Sequence, residues 1–595
     1  MELKIVYRIL RQVSDWTLTG FYSDVHVEGS ENVPKHGPII LASTHHNEMI
    51  DIATLAATIP HRRHVSFWAK SSMFANPVFR WILVSSNTIP VRRNPDKLSA
   101  STDSSSTSLF KETCLALDEG RVIGVFPEGT SYTQPGIMQI KEGAGWAAAE
   151  YSQWQSSSKK HSASSSNGIQ TSEDLYVIPV AIVYTDKSRY QSRVSVRYGK
   201  PMLLSDYRAA QATNNDADVA SAKPIVKQLM RDIEQRLNEM AVISADWETL
   251  HASRIARDML WGSPDNIPLE HFTRVSQTMV DAFSAESSSS TSLHRAIAPL
   301  IKYLALLQYT SITHDSLSVA LPLRISAARS SADVSSNLSR FAAIRILVRT
   351  ICMTVLHPHT LLSLPALIAH LPAFILSPLS VKLFSTLGEE ETLAEFKAIF
   401  GGVGVGIGSG LLGWGAQRLI ARGHLIDFLR LHLTFGVEQL AVVSGLDALQ
   451  QALSGNQSFV KKWVVKLGLI YGVGWVLVRW HNHSIKANYR RWQLLLTSLK
   501  LFLSSWSRSD MPADVLELYK KPALPPVNPF LNLPPELSQR SDVPPPSMSQ
   551  RLALVRHLPS ARLKAYGSLL EVLQDSNNGL RDRLTAMGWK EVMMV

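Results

Sequence analysis

Residues 39–56 read IILASTHHNEMIDIATLA, a short apolar run that ends in two histidines and passes into a helical pattern. A β-branched run followed directly by apolar residues at helical spacing is typical of a strand that leads into a helix. Three later runs have the same strand character: RVIGVFPEG (121–129), LYVIPVAIVY (175–184) and RVSVRYGKP (193–201). We therefore predict an α/β fold over residues 1–260, in which a central mixed sheet is flanked by helices.

His46 and Asp51 lie at the junction between the first strand and its helix. On one continuous helix they would lie about 140° apart, because each residue turns by about 100°. Asn47 suits the cap position, so we predict that the helix begins at Glu48 and that the turn before it lets the two side chains meet. A carboxylate can then hold one ring nitrogen while the other accepts a proton from a hydroxyl. His45 is expected to point elsewhere.

This spacing alone decides little, since a single histidine in a loop is more often structural than catalytic.

The stretch VFPEGTSYT (125–133) predicts a turn after a strand that ends at Phe126. Glycine allows close approach of a backbone, and neighbouring hydroxyl groups add hydrogen-bond donors. A turn built from Glu128, Gly129 and Thr130 is therefore suited to holding a phosphate. By itself, the motif is more often an ordinary turn at the end of a strand.

Two further features follow the same pattern. SSNTIPVRRNPD (85–96) places Arg92 and Arg93 after a short strand, and arginine is suited to bidentate contact with phosphate. Pro179 interrupts the strand at 175–184, which predicts an edge strand or a bulge because proline lacks an N–H group for the sheet. Each of these features also occurs without any function.

In this order, the four motifs resemble those of the glycerolipid acyltransferase superfamily, over residues from about 20 to 202. Three other stretches are similar to the fungal glycerol-3-phosphate and dihydroxyacetone-phosphate branch: VEGSENVPKHGPII (27–40), VYTDKSRYQSRVSVRYGKP (183–201) and DWETLHASRIAR (246–257). That branch also carries apolar segments after its catalytic domain.

The resemblance implies that His46 is the general base and Asp51 its partner. The activated substrate hydroxyl would attack the thioester of acyl-CoA directly. It implies acyl-CoA as co-substrate and no cofactor or metal. The implied substrate-binding residues are Arg92, Arg93, Glu128, Gly129, Thr130 and Pro179. Of the two arginines, the Ile-Pro-Val-x-Arg spacing favours Arg93.

The composition favours a membrane surface over nucleic acid as a partner. Lys and Arg number 60 against 49 Asp and Glu, which gives a net charge of +11, yet charged residues are only 18% of the chain. About 25% is usual for soluble proteins. The basic residues are scattered, and no nucleic-acid-binding signature is present. Cys114 and Cys352 are the only cysteines, which favours a reducing, cytosol-facing location over a disulfide framework.

Composition also divides the chain. Serine-rich stretches near 96–108 and 153–174 predict mobile surface insertions in the α/β domain. After this domain we predict, in order, a helical extension (261–349), a membrane-associated helical region (350–510), a proline-rich disordered linker (511–547) and a helical C-terminal tail (548–595).

Three segments of the region 350–510 indicate membrane contact. Residues 350–381 contain no charged residue and four prolines, which favours a kinked or re-entrant hairpin over one straight helix. Residues 398–417 are also uncharged, and Gly402, Gly406 and Gly410 repeat the GxxxG spacing of closely packed membrane helices. Residues 463–480 are a third candidate, and 492–506 fit a surface helix. The alternative is a buried helical bundle.

We predict an acyltransferase of the endoplasmic reticulum membrane that faces the cytosol and acylates the sn-1 hydroxyl of glycerol 3-phosphate, with dihydroxyacetone phosphate as a further acceptor. Two alternatives stay open: a lysophospholipid (sn-2) acyltransferase, and a non-enzymatic relative that binds membrane lipid.

Overall fold

The computed structural model describes residues 5–91, 105–162, 174–213, 222–284, 291–322, 338–386, 388–422, 448–452, 458–507, 511–531, 533–534, 537, 543–575 and 579–590. The chain separates into two compact units. The first comprises Met1–Arg340, Leu387–Ala394 and Lys500–Val595. The second comprises Phe341–Thr386 and Glu395–Leu499.

A mixed β-sheet forms the centre of the first unit, and eight strands of it lie within the described residues. The strands are β1 (Asp24–Glu28), β2 (Ile39–Ser43), β3 (Val65–Lys70), β4 (Ile89–Val91), β5 (Val122–Val125), β6 (Tyr176–Tyr184), β7 (Arg193–Tyr198) and β8 (Met202–Leu203). Their order across the sheet is β1-β7-β6-β2-β5-β3-β4, and β8 also pairs with β6.

The strands from β6 to β4 in this order are parallel to one another, whereas β7 and β8 run antiparallel to β6. The predicted mixed sheet is therefore confirmed. β2 lies between β5 and β6 and is buried along its whole length, which explains its unbroken apolar run. The carboxyl ends of β2, β5 and β6 meet at one edge, where open α/β sheets bind their ligands.

The four predicted apolar runs correspond to β2, β5, β6 and β7, and the short strand predicted before Arg92 corresponds to β4. β1, β3 and β8 were not recognised from the sequence. β1 reads DVHVE and its ends are exposed, so it lacks the long apolar run that identifies a buried strand.

Pro179 lies in the interior of the sheet, so the prediction of an edge strand is wrong. On one side it pairs with Ala42 of β2. On the other side, the partner of β6 changes from β8 to β7, and Pro179 lies at this change. Its carbonyl accepts the N–H of Gly199 at 2.8 Å, and a side chain at position 199 would collide with the proline ring. The interruption in pairing accommodates a residue that has no N–H group.

Helices flank the sheet and continue the first unit. In the N-terminal part they are α1 (Ile5–Phe21), α2 (Glu48–Thr58), α3 (Pro77–Ser85), α4 (Ser105–Asp118), α5 (Gly143–Ser162), α6 (Leu204–Thr213), α7 (Lys223–Met240), α8 (Trp247–Trp261), α9 (Leu269–Phe283), α10 (Thr291–Thr310) and α11 (His314–Ala320). The centres of the two predicted serine-rich insertions lie outside the described residues, but α4 and α5 continue into their ends.

The described residues then form five helices, largely in the second unit: α12 (Arg340–Val355), α13 (Pro358–Ala369), α14 (Leu371–Phe384), α15 (Leu393–Ala421) and α16 (Phe459–Trp506). α15 and α16 are long and apolar enough to cross a membrane, and α12 and α13 form a third candidate that is bent by 68°. The bend agrees with the kinked segment predicted around residues 350–381. α16 has 48 residues and a length of about 72 Å, so residues 492–506 continue the helix of residues 463–480.

The glycines of α15 make a close helix contact in a different register from the predicted one. A Cβ atom at Gly402, Gly406 or Gly410 would meet nothing within 4 Å. At Gly404 and Gly408 it would collide with the backbone of Ala373 and Ala369. The GxxxG spacing is therefore used, but by the neighbouring pair. Because residues 401–410 contain several overlapping pairs at this spacing, the sequence alone does not select one.

The C-terminal part of the chain returns to the first unit as α17 (Ala513–Leu518), α18 (Met548–Gln574) and α19 (Leu580–Ala586). α18 buries an apolar face that includes Leu554, Leu558 and Leu569 and packs along α10. Trp589 donates its indole N–H to the carbonyl of Leu260 at 3.0 Å. These residues belong to the core of the first unit.

Candidate active site

The site begins where β2 ends at Ser43 and the chain turns into α2. The helix begins at Glu48, and Asn47 precedes it, as the sequence predicts. The Asn47 side chain does not cap the helix. Asp51 orders the turn instead, because its Oδ2 atom accepts the backbone N–H groups of His46 at 2.8 Å and Asn47 at 2.7 Å.

The histidine that pairs with Asp51 is His45. Its Nδ1 atom lies 3.0 Å from Asp51 Oδ2. The predicted pairing of His46 with Asp51 through their side chains is therefore wrong. Successive side chains in an extended segment point to opposite sides, and His46 approaches the carboxylate with its backbone. The ring of His46 instead lies edge-on to Tyr132, with 6.3 Å between the ring centres.

Asp51 is fully buried and has a complete set of hydrogen bonds. In addition to the three donors at Oδ2, the Tyr184 hydroxyl donates to Oδ1 at 2.6 Å. Burial raises the pKa of the Asp51 carboxyl, but the hydrogen bonds and the nearby histidines lower it more, so the pKa lies below its ordinary value. Asp51 is thus a carboxylate at neutral pH, and His45 Nδ1 carries the proton between them.

The tautomer leaves Nε2 of His45 with a lone pair. Among the residues that the structure describes, this nitrogen has no hydrogen-bond partner. The ring stacks on Phe126 with 4.0 Å between centres, and 14% of the side chain is exposed. Phe126 directly follows β5, which is adjacent and parallel to β2. β2 therefore leads to His45, and β5 leads to the aromatic ring that fixes the plane of the imidazole.

Glu128 holds the backbone of His45. Its Oε1 atom accepts the His45 N–H at 2.7 Å, whereas the buried Oε2 has no hydrogen-bond partner among the described residues. Burial raises the pKa of the Glu128 carboxyl, and the neighbouring His46, Tyr132 and His45 N–H offset only part of this effect. The contact joins two motifs that are 83 residues apart in the chain.

The turn after Glu128 is tied to the start of α2. Gly129 has a φ of +77°, and a side chain there would collide with Lys141. The Ser131 hydroxyl donates to Glu48 Oε1 at 2.7 Å. Thr130, which lies between Gly129 and Ser131 in the chain, is partly exposed. The turn thus contains a glycine backbone and hydroxyl groups, and the Lys141 side chain lies against the glycine.

Three residues of the site were missed in the sequence. Tyr184, the last residue of β6, binds Asp51, and Tyr22 accepts a hydrogen bond from Asn47 Nδ2 at 3.2 Å. Lys187 donates to the carbonyl of His46 at 3.2 Å and to the Thr133 hydroxyl. Tyr184 was detectable in principle, because parallel strands that end in polar residues bring those residues to one edge.

The remaining predicted residues are Arg92, Arg93 and Pro179. Arg92 and Arg93 lie outside the described residues, which stop in this region at Val91. Pro179 is buried inside β6, away from the strand's carboxyl end. Their assigned roles in substrate binding stay predictions.

A segment from the far end of the chain borders the same turn. We name residues 522–531 the C-terminal strap. Asn528 Nδ2 donates to the carbonyl of Ser131 at 3.2 Å. Gln139 Nε2 donates to the carbonyls of Glu128 at 2.9 Å and Phe530 at 3.3 Å. This part of the proline-rich stretch, expected to be disordered, is thus held by hydrogen bonds to the loop that follows β5.

Residues 24–183 match the Acyltransferase family model. A segment of 172 residues is 20% identical to glycerol-3-phosphate O-acyltransferase 2 of Saccharomyces cerevisiae, covering 29% of this chain and 20% of the relative. A segment of 130 residues is 25% identical to the chloroplastic 1-acyl-sn-glycerol-3-phosphate acyltransferase LPAT1 of Arabidopsis thaliana, covering 22% of this chain and 33% of the relative.

A segment of 122 residues is 30% identical to the 1-acyl-sn-glycerol-3-phosphate acyltransferase of Bacillus subtilis, covering 20% of this chain and 54% of the relative. The crystal structure of the 1-acyl-sn-glycerophosphate acyltransferase PlsC from Thermotoga maritima is 17% identical, with a TM-score of 0.25, and covers 39% of this chain and 80% of that one. The matches to the curated relatives span about half of their length or less. Residues 24–183 thus match the Acyltransferase family model and parts of three glycerolipid acyltransferases, which confirms the resemblance read from the four motifs.

Proposed function

We propose that this chain transfers an acyl group from acyl-CoA to the sn-1 hydroxyl of glycerol 3-phosphate, giving lysophosphatidic acid, and that dihydroxyacetone phosphate is a second acceptor. The observation that carries the proposal is the buried pairing of His45 with Asp51 at the carboxyl edge of the sheet. The choice of acceptor is supported by the match to the yeast glycerol-3-phosphate acyltransferase and by the stretches at 183–201 and 246–257 that resemble the fungal branch.

His45 is the general base in this proposal, in place of His46. Its Nε2 atom removes the proton of the acceptor hydroxyl as the hydroxyl oxygen attacks the thioester carbonyl. The tetrahedral intermediate collapses, the new C–O bond remains and the C–S bond breaks. The proton passes from Nε2 to the departing CoA sulfur. Asp51 orients the ring and balances the positive charge that the imidazole carries between the two transfers.

The acceptor phosphate is bound by the cationic and glycine-containing side of the cleft. Gly129 and Thr130 offer a turn, and Lys141 and Lys187 lie against it or against the His46 backbone. Arg93 is the proposed bidentate phosphate ligand, with Arg92 as its alternative. Glu128 acts on this site by holding His45 and the turn together.

The proposed location is the endoplasmic reticulum membrane, with the acyltransferase domain in the cytosol. It is supported by the apolar helices α15 and α16 and by the use of two cysteines that form no disulfide in the described residues.

The decisive experiment measures acyl transfer by the full chain in membranes washed with alkaline carbonate, which retain integral proteins. One labelled acyl-CoA is offered with glycerol 3-phosphate, dihydroxyacetone phosphate or lysophosphatidic acid. Labelled lysophosphatidic acid formed from glycerol 3-phosphate is the expected result. Release of the chain by the wash would contradict the membrane location.

The second candidate is acylation of the sn-2 hydroxyl of lysophosphatidic acid, and two of the matched relatives carry that name. The two acceptors differ in how they are held. Glycerol 3-phosphate offers little besides its phosphate, whereas a lysolipid adds its buried chain at about 0.8 kcal/mol per CH₂ group. Turnover of lysophosphatidic acid alone would establish the second candidate. Absence of turnover with every acceptor, in a folded protein, would favour a non-enzymatic lipid-binding role.

A further inference from the structure

A group of polar side chains lies inside the second unit, between the broken pair α12–α13 and the long helix α16. Its members are His357, His359, Thr360, Ser363, Asn488 and Arg491. Ionisable groups among membrane-type helices are costly, and they usually mark a binding site or a transport path. The group lies in a different unit from the His45–Asp51 site.

Arg491 is the charged centre of this group. Its Nη2 atom lies 3.1 Å from His357 Nε2, and its Nη1 atom lies 3.4 Å from both His359 Nδ1 and Asn488 Oδ1. A guanidinium group can only donate hydrogen bonds. Of these partners, only the Asn488 oxygen is a fixed acceptor, because Asn488 Nδ2 donates to the Ser363 hydroxyl.

In either neutral tautomer, one ring nitrogen of His357 carries a proton and faces another hydrogen-bond donor. Its Nδ1 atom faces the backbone N–H of His359 at 3.1 Å, and its Nε2 atom faces Arg491. If Nδ1 accepts, Nε2 carries a proton and points at the guanidinium. If Nε2 accepts, Nδ1 carries the proton and points at the N–H group. A neutral imidazole has only one accepting nitrogen, so the pocket has more donors than acceptors.

The segments that form this group supply no carboxylate that would balance this excess. Residues 340–386 and 458–507, which contain every member of the group, include no Asp or Glu. The partners of Arg491 in the described residues are histidine, asparagine and threonine. Residues 479–491 add Arg479, Lys486 and Arg490 to the positive charge. An anion would satisfy the donors of this group.

The group lies beside the apolar part of α16 and not within it. Between Trp463 and Trp480 the only charges are Lys466 and Arg479. Arg491 follows Trp480 by 11 residues, which is about 17 Å along a helix. His357 lies at the break where α12 and α13 bend by 68°, and the first turn of α13 points its positive end there. Arg491 therefore lies beyond the tryptophan-flanked apolar segment, and lipid headgroups lie at this level when such a segment spans a membrane.

We propose that Arg491 and His357 bind the phosphate group of an anionic lipid. One phosphate oxygen between them accepts from Arg491 Nη2 and from the protonated Nε2 of His357, so that a contact between donors becomes two charge-assisted hydrogen bonds. Basic pockets between membrane helices bind lipid headgroups through this chemistry. The proposal is independent of the acyl-transfer activity, and a free phosphate ion is the other source of the same group.

The test uses the purified full chain in phosphatidylcholine nanodiscs, with or without phosphatidic acid. Bound phosphatidic acid is counted by native mass spectrometry and its affinity is followed by thermal stabilisation. Arg491→Gln is compared with Arg490→Gln, which removes the same charge one residue away. We expect Arg491→Gln to weaken phosphatidic acid binding about 10- to 100-fold, the range for a hydrogen bond to a charged group. Arg490→Gln should keep the binding.

His357→Ala is the second variant, and it removes the other donor without touching the guanidinium. It should weaken binding in the same direction, which keeps the test decisive if Arg491→Gln does not fold. A third arm adds inorganic phosphate to nanodiscs without phosphatidic acid. If inorganic phosphate stabilises the protein equally and through Arg491, the site takes free phosphate and the lipid source is overturned. If phosphatidic acid stabilises all variants equally, surface charge explains the effect and the site is overturned.

Discussion

His45 is the residue on which the proposed chemistry depends, because its Nδ1 atom contacts Asp51 while Nε2 has no hydrogen-bond partner among the described residues. His45→Ala should lower the rate of acyl transfer about 10²- to 10⁴-fold, as expected when a general base is lost. His46→Ala is the matched control, since it changes the neighbouring ring and keeps the backbone N–H that Asp51 binds. It should be much milder. The measurement is the initial rate of acyl transfer at saturating substrate concentrations. The amount of each variant in the membrane fraction serves as a check on folding.

The opposite ranking of these two variants, with His46→Ala inactive and His45→Ala active, would restore the pairing predicted from the sequence.

Glu128 gives a test at the same scale through pH. Burial raises its folded pKa above the unfolded value of about 4.3, so its protonated form is favoured in the folded protein. The associated stability is present below pH 4.3 and is lost as the pH rises through the folded pKa. Glu128→Gln stays neutral and still accepts the His45 N–H. We expect the melting temperature of Glu128→Gln, relative to the unchanged protein, to increase between pH 4 and pH 8.

A difference that stays constant across this range would contradict the uncompensated burial of Glu128. It would indicate a cation beside the carboxylate, and Arg92 and Arg93 would be the first residues to examine. Melting curves of both proteins in the same detergent and salt give this comparison directly.

At the scale of helices and strands, the parts that could be predicted from the sequence are those that depend on local pattern. β2, β5, β6 and β7 are apolar runs bounded by turns, and the start of α2 at Glu48 follows from a polar residue before a helical pattern. Register was not predictable in two places. His45 and His46 are adjacent, and a loop of this length lets either one reach Asp51. Residues 401–410 contain several glycine pairs at the GxxxG spacing. Each choice is made by a contact with a distant part of the chain.

The glycine register of α15 leads to a matched pair of substitutions. Gly408→Val places its branch against the Ala369 carbonyl and should force the helices apart, at a cost of about 1–3 kcal/mol typical of overpacking. Gly406→Val meets nothing within 4 Å and should be tolerated. Thermal stability in detergent, followed by size-exclusion chromatography of the full chain, measures both. Equal losses in the two variants would mean that the face with Gly406 is also a contact surface.

At the scale of the whole chain, the first unit is assembled from segments that are far apart in sequence. The fold of its sheet follows from runs before residue 204, but α18 and the C-terminal strap join it from beyond residue 500. Composition identifies the strap only as proline-rich. Its position could not be predicted from the sequence, because single side chains make the hydrogen bonds that hold it. Asn528 bonds to Ser131, 397 residues away, and Gln139 bonds to Phe530, 391 residues away.

We therefore expect the C-terminal strap to fix the conformation of the turn at residues 128–131, which is proposed to bind the acceptor. Asn528→Ala removes the hydrogen bond to the Ser131 carbonyl, which is worth about 0.5–1.5 kcal/mol for a neutral pair. Because Ser131 also holds the start of α2 through Glu48, loosening it should displace the turn that is proposed to bind the acceptor and leave His45 in place. We expect the KM for glycerol 3-phosphate to rise about 2- to 10-fold with little change in kcat. Val527→Ala, an exposed neighbour, is the control. If Asn528→Ala lowered the melting temperature without changing this KM, the strap would stabilise the fold and have no part in binding the acceptor.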